Sequence, residues 1–331
     1  MSQQPTNSDS FLLRRWRRFW SLRREPTTAE AVAWGAVCLG ACWLLWWFVT
    51  WAPPDEPEQR IVGYAQLPSP SETFEKFHQL WFDQALTRNA AASLRRVALG
   101  FGLATIVGLP VGVLCGCLAS FRAFFAPIML FGRYVPVAAL IPLTFSLFGI
   151  GELQKVMFIF IACVAFIVSD TARAVADVGQ QYVDTALTLG ASRRQVVMKV
   201  LVPLAMPDVF NSLRLLFGLA FGYIMLAEVV KLGGESGGLG DIIITSQRRG
   251  LREPIYLVLL IIPLVAFAID RVLFWVQKEL FPHRYGGAGV LRLGARGASH
   301  LIEDATSIFL RRTRAPEGFL PEKPARQEPV S

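Results

Sequence analysis

Four ionisable residues sit within or close long apolar stretches of this chain: Arg133, Arg214, Glu228 and Asp270. A charge at membrane depth is costly, so such groups face a bundle interior or a wet cavity. Arg133 precedes Pro136 and Pro142 in one stretch. It reads either as an attractor for an anionic solute or as an arginine snorkelling to the interface. Arg214 reads as an interfacial anchor rather than a gate. Glu228 reads first as half of a structural ion pair and second as a gate. Asp270 with Arg271 reads as a local interfacial pair. Pro136 and Pro142 are expected to bend their span and free carbonyls that line a cavity.

Bond-making chemistry finds little support. Gly234 to Gly238 (GESGG) fits the G-x-S-x-G pattern, but that motif needs a strand–turn–helix setting. Here it lies between two apolar stretches and reads as a loop turn. There is no G-x-x-x-x-G-K-[ST] phosphate loop. His78, His283 and His300 show no ligand spacing. Cys38, Cys42, Cys115, Cys117 and Cys163 all fall in apolar segments, where a thiol acts as a small apolar group. The chain is read as no enzyme, with no metal and no cofactor of its own.

The elements that hold these residues are membrane spans. Hydrophobic residues make up 53% of the 331 and charged residues only 18%, with mean hydropathy +0.43. A soluble domain of this size carries about 25% charged residues. Apolar runs at Ala31–Pro54, Val97–Phe121, Ala123–Ile150, Val156–Ser169, Leu215–Ala227 and Ile255–Ile269 predict six spans, the last three extending past Asp170, Glu228 and Asp270. Residues 1–30 are a basic cytoplasmic tail holding six arginines and form an uncleaved signal anchor with the first span, 31–54. Residues 55–96 form an outer linker plus an amphipathic helix over 74–94. That helix either lies at the interface or packs on neighbouring spans. Residues 97–273 are the core, and 274–331 a cytoplasmic tail with a short helix over 298–311 and a disordered end. Gly108, Gly112 and Gly116 make one smooth helix face, for packing within the chain or for dimerisation. Trp34, Trp43, Trp46, Trp47 and Trp51 read as core and interface anchors.

Segments assigned to the inside carry 21 Lys and Arg against 10 outside, which sets both termini in the cytoplasm. Arg95, Arg96, Arg248, Arg249 and Arg252 fall on the wrong side for that rule. The net charge of +8 therefore reports the sidedness of the tails and not a nucleic-acid partner.

Between the fourth and fifth spans lies 182–207, YVDTALTLGASRRQVVMKVLVPLAMP. It predicts two short helices broken at Gly190 by a left-handed cap. Ser192 and Gln195 have capping-box spacing. Val196, Val197, Val200, Leu201 and Leu204 form an apolar face, and Pro203 and Pro207 end the second helix. Asp184, Thr185, Ala186, Gly190, Val200, Val202 and Pro203 follow the offsets E-A-A-x-x-x-G-x(9)-I-x-L-P, with Asp for Glu and Thr for the first Ala. This resembles the cytoplasmic loop of permease subunits of binding-protein-dependent ABC importers. LPSPSE at 67–72, the runs at 135–152 and 212–228, and SGGLG at 236–240 resemble the nitrate/sulfonate/taurine branch.

The resemblance covers about 67–285 and implies an all-α membrane protein with six transmembrane helices in the type I ABC importer permease fold (MetI-like). It implies a coupling site at Asp184, Thr185, Ala186, Gly190, Ala191, Ser192 and Pro203, docked on a dimer of ATP-binding subunits that hold ATP and Mg²⁺. It implies a solute-binding protein outside, periplasmic or lipid-anchored, a permease homodimer in a bacterial inner membrane, and a small, anionic solute. A non-transporting membrane receptor or sensor on the same fold is the alternative.

Overall fold

The computed structural model describes residues 27–52, 60–64, 66–230 and 237–285, with the side chains of His283 and Tyr285 left aside. The arginine tail, the 298–311 helix, His300 and Gly234 to Ser236 lie outside those residues. Every regular element among the described residues is helical. They fall in two compact units, one built from the chain before residue 80 with 246–257, the other from 81–245 with the remainder.

The first unit holds α1 (Thr28–Thr50), α2 (Pro70–Glu75) and α3 (Phe77–Phe82). Helix α1 starts at a capping box in which Thr27 and Glu30 satisfy each other's backbone N–H. Of its 23 residues only Thr50 is buried, so its apolar surface is left for lipid. The anchors are specific: Trp46 Nε1 donates to Pro68 O at 3.0 Å, and Trp43 meets Phe74 at 5.5 Å between ring centres. The LPSPSE motif is a second capping box. Ser69 caps α2, Pro70 occupies the first turn, and Glu72 closes the box. Arg60 Nη2 lies 2.8 Å from Glu72 Oε1. That guanidinium holds the Glu72 carboxyl down at about 2. Tyr64 donates its hydroxyl to Glu253, and this bond to a carboxylate raises the Tyr64 hydroxyl to about 12.

The expected 74–94 helix is not one element. It breaks at Lys76 and again over 83–85, where Ala85 has φ +46°, before α4 begins at Leu86. Arg95 and Arg96 therefore lie inside a span and not in an outer linker.

The second unit is built on α4 (Leu86–Cys117), α5 (Ala119–Tyr134), α6 (Leu140–Phe148), α7 (Glu152–Ala176), α8 (Gln180–Thr188), α9 (Arg193–Val229) and α10 (Leu239–Arg248). It also takes most of α11 (Glu253–Leu280) and a short α12 (Pro282–Tyr285). Glycines set how α4 meets α7. A Cβ on Gly100 would come within 2.5 Å of Val156 O, one on Gly108 within 2.9 Å of Ile167, one on Gly112 within 2.5 Å of Thr171 Cβ, and one on Gly116 within 2.6 Å of Val175. The glycine face thus serves packing within the chain.

Both sets of contacts rise together, so α4 and α7 run parallel. The chain between them must return across the same thickness. Helices α5 and α6 make that return as one span bent by 94°. With the five long apolar helices this gives up to six crossings among the described residues. The bend lies at Pro136, between α5 and a single 3₁₀ turn. Pro142 does not bend anything: it sits in the first turn of α6, where its missing N–H has no helical partner to lose.

The fifth span also departs from expectation. Pro203 and Pro207 do not end a helix. Residues 193–229 form one continuous rod of 37 residues. A single π-helical turn, Val197–Leu201, precedes Pro203, and Val202 N–H reaches back to Val197 O. The wider turn accommodates the proline ring and its missing donor.

Candidate functional site

Three places bring charged or docking groups together. The first is the turn between α8 and α9. Gly190 has φ +82°, a conformation costly for any residue with a Cβ. Ala191 N–H donates to Ala186 O at 3.0 Å and Gly190 N–H to Leu187 O at 2.9 Å. That is the Schellman arrangement, closing α8 on its own carbonyls. Ser192 and Gln195 then form the capping box that starts α9. Asp184 is exposed and accepts from Gln180 Nε2 at 3.0 Å, and Thr185 donates to Gln181 O. Helix α8 buries none of its residues. The tip carries Leu189, 83% exposed, beside exposed Tyr182, Leu187 and Met198. The turn is polar and closed by its own bonds, and among the described residues its apolar tip stays exposed. The pattern reading missed these apolar residues, because it followed motif letters and not exposure.

At the far end of α9 lies the second place. Glu228 is fully buried. Arg96 Nη1 donates to Glu228 Oε1 at 2.7 Å, and Ser93 Oγ lies 2.8 Å from both carboxylate oxygens. Arg96 Nε donates to Glu152 Oε2 at 2.8 Å, and its Nη2 also pairs with Glu152. Gly240 N–H donates to Glu228 Oε2 at 3.0 Å. Removing one partner of a buried, hydrogen-bonded pair of this kind costs about 3–5 kcal/mol. Arg96 was legible only as a violation of the inside-positive rule. Its pairing with two carboxylates from α7 and α9 is the physical reason for that violation.

The third place is a cavity of about 820 Å³ between α5 and α7. It is lined by Arg122, Arg133, Tyr134, Phe166, Ser169 and Arg173 with smaller apolar groups. Arg133 Nη1 donates to Ser169 Oγ at 2.8 Å and lies 3.4 Å from Asp170 Oδ1, with its guanidinium over Phe166 at 5.3 Å. Arg133 and Arg173 share the Asp170 carboxylate, and Arg122, which donates to Cys115 O and Gly116 O, adds a third guanidinium to the lining, an excess of positive charge that suits an anion.

Arg214 pairs with groups on another helix. Its Nε lies 2.8 Å from Asp270 Oδ1, off the hydrogen-bonding direction, and its Nη1 donates to Gln277 Oε1 at 2.8 Å. The local pair of Asp270 with Arg271 is present at 2.8 Å, and Asp270 is shared with Arg214 as a second partner. Arg214 and Asp270 close one side of a cavity of about 300 Å³ with Phe217, Phe221 and Phe267. Glu228, Pro136 and Pro142 line neither cavity. No cluster of three potential metal ligands occurs among the described residues.

Comparison with known proteins agrees with this architecture. Residues 108–282 match the family described as binding-protein-dependent transport system inner membrane component. The taurine transport system permease protein TauC of Escherichia coli K12 is 29% identical over 273 residues, covering 81% of this chain and 93% of the relative. The bicarbonate transport system permease protein CmpB of Synechococcus elongatus is 31% identical over 227 residues, covering 65% and 81%. An inward-facing structure of the MetNI methionine ABC transporter aligns with TM-score 0.54 at 22% identity, over 61% of this chain and 97% of that one, and shows the shared fold. The chain belongs to the binding-protein-dependent transport system inner membrane component family and is a permease subunit of an ABC importer with the type I fold.

Proposed function

We propose that this permease works as a homodimer in a bacterial plasma membrane, with both termini in the cytoplasm, and carries a small anionic solute inward. The turn from Asp184 through Gly190 to Ser192 docks on the partner ATP-binding subunits, which hold ATP and Mg²⁺. A solute-binding protein delivers cargo to the opposite side. The chain itself contributes no catalytic group and no cofactor. The observation that carries this reading is the α8–Gly190–α9 turn: a doubly capped, rigid corner whose apolar tip is exposed among the described residues. Closure of the ATPase dimer would move that corner, and the unbroken α9 rod would carry the movement across the membrane.

Sidedness is supported by the distribution of Lys and Arg, and the pairing of Arg96 removes one exception to it. A homodimer is supported by α5, which buries none of its residues and exposes Phe124, Ile128 and Phe131. An anionic cargo is supported by the arginine-lined cavity at Arg133 and by relatives named for taurine and bicarbonate transport. Pro203 acts by shaping the start of α9 and not by contact.

The test is Gly190→Val in the assembled transporter. A β-branched residue at φ +82° opens the corner while the spans still insert. The expected result is loss of uptake and of cargo-stimulated ATP hydrolysis at normal membrane abundance. Normal uptake with normal stimulation would overturn the assignment.

A further inference from the structure

Residues 237–240, which lead into and begin α10, are held by their backbone to one knot of side chains. Arg96 Nη1 donates to Gly237 O at 2.7 Å. Gly238 N–H donates to Asn89 Oδ1 at 2.7 Å, and Leu239 N–H to Ser93 Oγ at 3.0 Å. Gly240 N–H donates to Glu228 Oε2 at 3.0 Å. Four successive residues are thus tied to α4 and to the end of α9. The glycines make this possible. A Cβ on Gly238 would overlap the Glu228 carboxyl, and one on Gly240 would lie 2.7 Å from Glu228 Cβ. Gly238 also has φ +116°. Leu239 is completely buried as a result.

We propose that Arg96, Glu228, Ser93 and Asn89 are positioning residues that lock the 237–240 loop to the α9 rod, so that a solute-binding protein docked on that side acts on the same rigid piece whose other end is the coupling turn. The proposal rests on the coupling reading above for the far end of the rod. The chemistry of the lock is specific. A buried carboxylate takes one N–H from the loop, and its guanidinium partner gives one N–H back to a loop carbonyl. The loop is clamped from both polarities, and neither charge is left bare. Such a lock resists a pull in a way that apolar packing alone does not, because separating it exposes two buried charges.

Two variants disturb the loop without removing either charge: Gly238→Ala, which drives the backbone off Glu228, and Asn89→Ala, which deletes one tether. Each is placed in the complete transporter, reconstituted with its ATP-binding subunits in nanodiscs. Three readouts are taken. The first is labelling of Leu239→Cys by a membrane-impermeant maleimide, the second basal ATP hydrolysis, the third the stimulation of hydrolysis by cargo-loaded binding protein. The expected result is a labelling rate raised by at least about tenfold, as for a protected site that opens locally, with basal hydrolysis retained and stimulation lost. Raised labelling with normal stimulation would make the knot merely structural and overturn the proposal. Unchanged labelling in both variants would show that the tethers do not hold the loop, and would overturn it equally. Loss of basal hydrolysis in both variants would mark a general folding defect, again against the proposal. Failure of the coupling reading is separate: it shows as normal transport in Gly190→Val, whatever the labelling at Leu239→Cys.

Discussion

Two glycines on α4 give a controlled test of how this bundle is packed. Gly112 faces α7, and an added Cβ would sit 2.5 Å from Thr171 Cβ and 2.8 Å from Val168 O. Ordinary contact needs about 3.5–4.0 Å, so the two parallel helices must separate by about 1 Å. Overpacking of this kind costs about 1–3 kcal/mol. The obstacle includes a backbone carbonyl, which cannot rotate away as a side-chain tip can. Gly102 lies ten residues earlier on the same helix, and an added Cβ there meets nothing within 4 Å. Gly102→Ala removes a flexible residue from a helix interior and should stabilise by up to about 1 kcal/mol. The gain in helix propensity is common to both substitutions, so the overpacking term alone sets the two variants about 1–3 kcal/mol apart. Thermal unfolding of purified permease in detergent, followed by monodispersity, reads the difference. Equal midpoints for Gly102→Ala and Gly112→Ala would refute the close parallel contact of α4 and α7, and with it the argument that α5 and α6 form one returning span.

Other outcomes follow from the remaining sites. Leu189→Asp should leave permease stability within about 0.5 kcal/mol, as for a surface change that breaks no contact, yet reduce co-purification of the ATP-binding subunit; unchanged recovery would remove the tip from the interface. Arg133→Ala at normal abundance should raise the cargo concentration needed for half-maximal uptake, whereas Ser169→Ala, which breaks the hydrogen bond but keeps the charge, should change it little; equal effects would mean that Arg133 is structural. Glu72 has a folded value of about 2 against an ordinary 4.5. A lowered carboxyl value stabilises above the ordinary one and loses that effect as pH falls through the folded one. The stability difference between wild type and Glu72→Gln should thus be constant above pH 4.5 and fade toward pH 2, and a difference that persists unchanged at pH 2 would contradict the Arg60 pairing.

The turn at Gly190 was legible because its signals are local. Gly190 as a helix C-cap and Ser192 with Gln195 as a capping box depend on a few consecutive residues, and each is realised as read. The termination at Pro203 and Pro207 was misread for a related reason. Proline breaks a regular α-helix, but a single π turn absorbs it, and no local pattern announces that turn. The pair of Asp270 with Arg271 was legible because the two are neighbours in sequence. The contacts of Arg214 with Asp270 and Gln277 join two helices, and only packing of α9 against α11 brings them together.

By itself the sequence determined a membrane protein built of long apolar helices, the sidedness expected from its arginines, and a family loop. Those properties follow from composition and short-range spacing, which the bilayer and the helix repeat translate directly into structure. Tertiary structure alone decided what the intramembrane charges do. It made one crossing from the bent pair α5 and α6, turned the glycine face inward onto α7, and joined Arg96 to Glu228 across 132 residues. The physical reason is that a charge in an apolar stretch must find a partner, and the identity of that partner depends on which helix faces are in contact.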